Sequence, residues 1–160
     1  MNRIIYLILL LGLLRPACGF SQSDKKDIIY NWNTNQSSLW ISIDSTFQKF
    51  APSDEEINLA KEIAINYIDS LESTRNSQIR KEFGKILKYN HARYYRQYVA
   101  FIDNEGKKKI FINAVCDSFV KNKDLKKEWI FVLDGGSCFF QMEVDLETEE
   151  ITSFSVNGEA

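Results

Sequence analysis

Two cysteines, a single histidine and a small set of tyrosines define what chemistry this chain can carry. Of its three Cys, Cys18 sits in an N-terminal apolar segment, which leaves Cys116 and Cys138 as an even pair. In an oxidising compartment such a pair reads as a disulfide. Closing a loop of about twenty residues would stabilise the fold by roughly 3 kcal/mol in the chain-entropy model. A second reading stays open. In a simple meander Cys116 ends one strand and Cys138 begins another two strands away. Adjacent strands lie about 4.8 Å apart, and a bridge needs Cα atoms within about 7 Å. Either the Gly135-Gly136 stretch is a bulge that changes the register, or these are two buried free thiols.

His91 is the only His. A His-rich metal site is thereby excluded, and a triad would need this one imidazole beside a Ser or Cys and an acid. Between Asn90 and Ala92 it reads as a loop residue. The acids Asp145, Glu147, Glu149 and Glu150 crowd one turn, but the spacing and fixed Gly of a calcium loop are absent. Asp134-Gly135-Gly136 lacks the following helix and Lys of a phosphate nest and reads as a turn. Lys107, Lys108 and Lys109, and Lys121, Lys123, Lys126 and Lys127, are interleaved with acids and read as a solvated rim. No catalytic residue, metal site or cofactor is assigned. Tyr94, Arg96, Tyr98 and Trp129 form the polar-aromatic group best suited to a ligand- or partner-binding surface. The competing reading has Tyr and Trp simply filling the second face of a sheet.

These residues need elements to place them. Ser53 and Glu56 form a capping box, with Asp54 and Glu55 in the first turn where the helix dipole favours acids. Ile57, Ala60, Ile63, Ala64, Tyr67, Ile68 and Leu71 then recur at three- and four-residue steps, which predicts one long amphipathic helix. Ile79, Phe83, Ile86 and Leu87 suggest a shorter second helical piece. From Ala92 the period becomes two. Strands are expected over 93–103, 108–116, 128–133, 138–145 and 150–156, with turns at Asp103-Asn104-Glu105-Gly106, Asp134-Gly135-Gly136-Ser137 and Leu146-Glu147-Thr148-Glu149. Helix first and strands afterwards make an α+β fold: a helix or helix pair on a curved antiparallel sheet of four to five strands in meander order.

Apolar residues occupy both sides of these strands. Tyr94, Tyr98, Ala100 and Ile102 share one side of the first, and Tyr95, Val99 and Phe101 the other. A sheet with one wet face alternates far more cleanly, so both faces are expected to be covered. The helix covers one. The aromatic residues of 28–50, Trp32 and Trp40 among them, are the candidates for the other.

The chain has 160 residues, 44% apolar and 26% charged, which suits one domain with a real core. Its 7 Gly, 2 Pro and 13% aromatic residues exclude collagen-like and disordered chains. Residues 1–21 read as a signal peptide: Arg3, an apolar run from Ile4 to Leu14, then Ala17, Cys18 and Gly19. The run is short against the roughly 20 residues that span a bilayer. Cleavage after Gly19 or Ser21 gives soluble export to the periplasm or beyond. Lipidation at Cys18 is the alternative, weakened by Arg15 where lipoproteins usually carry Leu. Loss of Arg3 and Arg15 leaves 18 basic against 22 acidic residues, a charge of −4, which gives no reason to expect a nucleic-acid partner. Residues 22–51 are then an extension covering the sheet, and 52–160 a single α+β domain.

Tyr94-Tyr95-Arg96-Gln97-Tyr98, Phe111-Ile112-Asn113 with Cys116, the run from Val132 to Gln141, and the tail Val156-Asn157-Gly158-Glu159-Ala160 resemble a group of uncharacterised exported proteins of Gram-negative bacteria. The resemblance covers the C-terminal part of the chain and implies no catalytic residue. The helix-then-sheet layout is similar to the cystatin-like arrangement, shared in outline with cone-shaped folds. The expectation is an exported, non-catalytic module that binds a protein or small ligand across its sheet. The alternatives are a small enzyme using Asp103 or Asp134 with a Tyr in a cone-shaped pocket, and an inhibitor or immunity-type protein.

Overall fold

The computed structural model describes residues 25–30, 46–73 and 93–158. The expected signal peptide, residues 1–21 with Cys18, the residues Trp32 and Trp40, the expected second helical piece and His91 lie outside the described residues.

Helix α1, Asp54–Ser73, begins where its capping box places it. The Glu56 amide donates to Ser53 Oγ at 3.2 Å, and the Ser53 amide donates to a Glu56 carboxylate oxygen at 2.9 Å. Ile57, Ala60, Ala64 and Ile68 are buried on one stripe, with Ile63 and Tyr67 beside them. Removing each isoleucine from water contributes about 2 kcal/mol. The stripe rests on Tyr98, Ala100, Ile110, Ile112, Ala114, Phe140, Met142 and Val144. Small residues at Ala60, Ala64, Ala100 and Ala114 leave room between these bulkier neighbours.

Among the described residues, six strands form one mixed, mostly antiparallel sheet. Strands β3 (Tyr94–Ile102), β4 (Lys108–Cys116), β5 (Phe139–Asp145) and β6 (Glu150–Val156) pair with their successors. Asp103 closes the β3–β4 turn by accepting the amides of Glu105 and Lys107, and Gly106 supplies the required positive φ of 84°. Asp145 closes the β5–β6 turn by accepting those of Glu147 and Thr148. The far edge of β3 is occupied by β1 (Asp27–Ile29), running parallel, and β2 (Gln48–Lys49), running antiparallel. Strands of three and two residues are too short to show a two-residue period, so the expected four to five strands become six.

A larger correction concerns residues 128–133, which are not a strand. They pair with no neighbouring strand. Instead the segment crosses the second face of the sheet as an irregular strap, its backbone bound by side chains of β3, β4 and the residue after β6. Since no strand intervenes, β4 and β5 are direct neighbours, with Val115 opposite Phe139. Cys116 and Cys138 are bridged, their Cα atoms 4.9 Å apart. The obstacle raised by a meander disappears with the strand that caused it. The Gly-Gly stretch is no hairpin turn either. Gly135 and Gly136 both take positive φ and lead into a 3-10 turn, Gly136–Cys138. A Cβ on Gly135 would sit 2.6 Å from the Phe139 ring, so only glycine fits there.

Both faces of the sheet are covered. Leu125, in the turn before the strap, and Ile130 within it pack with Ile28, Val115 and Phe139, while Tyr30, Val99 and Phe101 form a further cluster with Phe47, Phe111 and Trp129. Tyr30 and Phe47 belong to the N-terminal extension, but the strap supplies most of the described second lid.

Candidate functional site

The second face carries a row of amides that follows directly from the register. Gln97 lies opposite Asn113, Asn113 opposite Gln141, and Gln141 opposite Ser155. Each passes a hydrogen bond along the row. Asn113 donates to Gln97 at 3.2 Å, Gln141 to Asn113 at 3.3 Å and Ser155 to Gln141 at 3.1 Å. Gln97, wholly buried, donates to the carbonyls of Leu125 and Glu128 and accepts the Ile130 amide. Asn113 donates to the Ile130 carbonyl, and Asn157 to those of Val132 and Asp134. A strap without helix or ladder has backbone groups that burial would orphan, and these amides satisfy them.

Where the strap leaves the sheet uncovered, a cleft of about 170 Å³ remains. Trp129 and Phe131 of the strap and Phe111 of β4 give it aromatic surface, and Asn113, Gln141 and Asn157 give it amides. Glu143, Ser153 and Ser155 complete it from β5 and β6. Trp129 is half-buried against Tyr30 and Phe111, ring centroids 5.2 and 6.1 Å away. Its indole N–H has no acceptor among the described residues.

Glu143 owes its orientation to a β-bulge. The register slips between Glu143 and Val144, leaving Thr152 as the extra residue of β6. The Thr152 hydroxyl donates to Glu143 Oε1 at 2.7 Å, and Lys109 Nζ reaches the same oxygen at 2.9 Å. Lys109 also lies 3.4 Å from Asp103. Burial opposes its charge, but the two carboxylates hold its pKa above the ordinary lysine value. Glu143 Oε2 receives no donor among the described residues.

The residues expected to form a single binding surface are divided between the two faces. Tyr94, Arg96 and Tyr98 are buried on the helix side, whereas Trp129 is on the strap side. Tyr94 donates to the Ser137 carbonyl at 2.7 Å, steadying the turn before Cys138. Arg96 Nε and the Tyr98 hydroxyl both reach Asp27 Oδ1, at 2.5 and 2.9 Å, and Lys61 of α1 reaches Oδ2 at 2.6 Å. Burial acts against the Asp27 carboxylate, yet its bonds to Arg96 and Lys61 hold its pKa below the usual range. The Tyr98 phenol is pushed far upward, first by burial and then by the Asp27 charge, despite Arg96. This cluster ties β1, β3 and α1 together.

Asp103 and Asp134 do not line the cleft. Among the described residues no three His, Cys, Asp or Glu side chains converge as a metal site, and no helix is long and apolar enough to cross a membrane. Apart from Trp129, none of the cleft residues is among the candidate binding residues of the sequence. The available signal was one amide per strand, Gln97, Asn113 and Gln141, set among apolar neighbours.

No family model, curated protein or solved structure matches the chain.

Proposed function

We propose that this chain is an exported, non-catalytic binding module that takes a ligand in the cleft between the strap and strands β4 to β6. One observation carries the reading. The cleft has aromatic surface at Phe111, Trp129 and Phe131, while its amides are already engaged, Asn113 and Asn157 with strap carbonyls and Gln141 with those two side chains. The groups left open are the Trp129 indole N–H, the Ser153 hydroxyl and one carboxylate oxygen of Glu143, which suit recognition. Ser155 donates to an amide oxygen, and an amide oxygen is no general base. The signal-like segment 1–21 and the Cys116–Cys138 bridge both favour an oxidising compartment outside the cytosol. The packing of one helix on consecutive strands β3 to β6 favours a cystatin-like layout, which by itself assigns no ligand.

Nitrogen-15 NMR tests the site directly, because the carboxamides of Asn113, Gln141 and Asn157 and the Trp129 indole all report on it. Titration with a panel of neutral disaccharides, small amines and short peptides is expected to move these signals for at least one probe. Trp129→Ala is expected to abolish the response. Shifts confined to the helix side near Lys61, or no shift with any probe, would refute the cleft as the site. Expression with residues 1–21 in place is expected to deliver a trimmed chain to the periplasm; untrimmed protein held in the cytosol would refute export.

A further inference from the structure

The cleft's charge selects among ligands. Resting on the binding reading above, we infer that it takes an organic cation, an ammonium or a guanidinium, with Glu143 reading the charge and Trp129, Phe111 and Phe131 supplying the aromatic surface. Glu143 is held by two donors on one oxygen, Lys109 and Thr152, while its other oxygen has no donor among the described residues. Its side chain is 22% exposed, enough to meet a guest and buried enough to limit screening. Lys109 does not cancel this charge, because it is shared between Glu143 and Asp103. Two carboxylates against one ammonium leave the site negative. No Lys or Arg lines the cleft.

The remaining surface agrees with a cation. Aromatic faces attract ammonium and guanidinium groups through their quadrupoles, most strongly for Trp. The amides that would mark a site for a neutral sugar are spent on the strap and on one another. The volume, about 170 Å³, suits one side-chain-sized group; for scale, a cavity of about 150 Å³ holds benzene. An anion would meet the open oxygen of Glu143 and is excluded.

An organic cation has two sources, a small quaternary amine or the basic side chain of a protein, and the test separates them. The disulfide-bonded protein is titrated with choline, with Nα-acetyl-arginine amide, and with 3,3-dimethylbutan-1-ol, the uncharged isostere of choline. At least one cation is expected to shift the Trp129 indole and the Gln141 carboxamide, with the alcohol about tenfold weaker than choline if choline binds. Binding by choline alone assigns a small quaternary ligand, and binding by the arginine amide alone assigns a protein side chain. Glu143→Gln is expected to weaken the cation about tenfold and leave the alcohol unchanged. Phe131→Leu, which keeps an apolar side chain but removes the ring, is expected to weaken the cation while melting like the parent, which covers the case of a misfolded Glu143 variant. Equal binding of choline and the alcohol, or cation binding indifferent to Glu143→Gln, overturns charge selection and leaves the binding module standing. Failure of both cations, while a neutral probe still moves the cleft signals, does the same. Silence from every probe removes both proposals.

Discussion

The two faces of the sheet are covered by different means. On one side α1 lies over apolar residues and brings its own hydrogen bonds, so the sheet can meet it with Ala100, Ile112, Ala114 and Met142. On the other side the strap brings unpaired backbone, and the sheet must answer with Gln97 and Asn113, joined by Asn157 just after β6. A regular lid lets the surface beneath it be apolar; an irregular lid forces polar side chains into a buried layer. The irregular lid also leaves a gap, and that gap is the cleft.

If this contrast is right, the largest effect comes from Gln97→Leu. The substitution puts an apolar side chain of similar reach in place of the carboxamide and orphans the Leu125 and Glu128 carbonyls, the Ile130 amide and one Asn113 donor. Denaturant unfolding is expected to show a loss of about 4 kcal/mol. Hydrogen exchange should quicken at Ile130 while α1 keeps its protection. A loss below about 1 kcal/mol would mean that apolar burial alone holds the strap.

Next comes the bridge. Cys116 and Cys138, 22 residues apart, clamp the two feet of the connection that contains the strap. The double variant Cys116→Ala, Cys138→Ala is expected to lose about 3 kcal/mol. Its sheet should persist, because Val115 and Phe139 remain paired without the bridge. Collapse of the α1 signals as well would show that the bridge supports both faces alike.

The helix face has one polar cluster of its own, and it is ionic. Asp27→Asn leaves Arg96 buried beside a neutral amide and is expected to cost about 2 kcal/mol at neutral pH. The Asp27 pKa is depressed in the folded protein. The native state therefore binds fewer protons here than the unfolded chain, and stability rises with pH across the gap between the two values. The contribution is complete above the unfolded value of about 3.9 and is lost as pH falls through the folded one. Asp103 and Asp145 are depressed too: burial opposes each, but backbone amides and nearby lysines prevail. The readout is thus the difference between parent and variant. Thermal melts of the two should converge as the pH is lowered below about 4. Parallel curves would remove Asp27 from the acid limb.

How far these features could be read in advance follows from the same physics. The capping box located α1, and the two-residue period located β4 and β6, because those signals are local. Strand β3 shows apolar residues on both sides, which correctly implied two lids. The nature of the second lid was not legible. Residues 128–133, Glu-Trp-Ile-Phe-Val-Leu, have the composition of a strand, and only the absence of a pairing partner makes them a strap. The amide row is non-local in the same way. Gln97, Asn113 and Gln141 look like isolated interruptions of apolar stripes until the register sets them side by side. Cys116 and Cys138 depended on the same fact, since their distance follows from β4 and β5 being neighbours.

The smallest effect tests the contrast from the other side. Ser53→Ala deletes a hydrogen bond to the Glu56 amide at the start of α1, as Gln97→Leu deletes one to the Ile130 amide. The bond broken is of the same kind, side-chain oxygen to backbone N–H, but the surroundings differ. The helix end is exposed, so water replaces the lost acceptor, and the reciprocal bond from the Ser53 amide to Glu56 survives. The expected cost is about 1 kcal/mol, with no change in exchange across the strap. At the strap no water is at hand, and the same kind of deletion carries the full desolvation penalty. A Ser53→Ala loss as large as that of Gln97→Leu would show that burial of the orphaned group is not what separates the two lids.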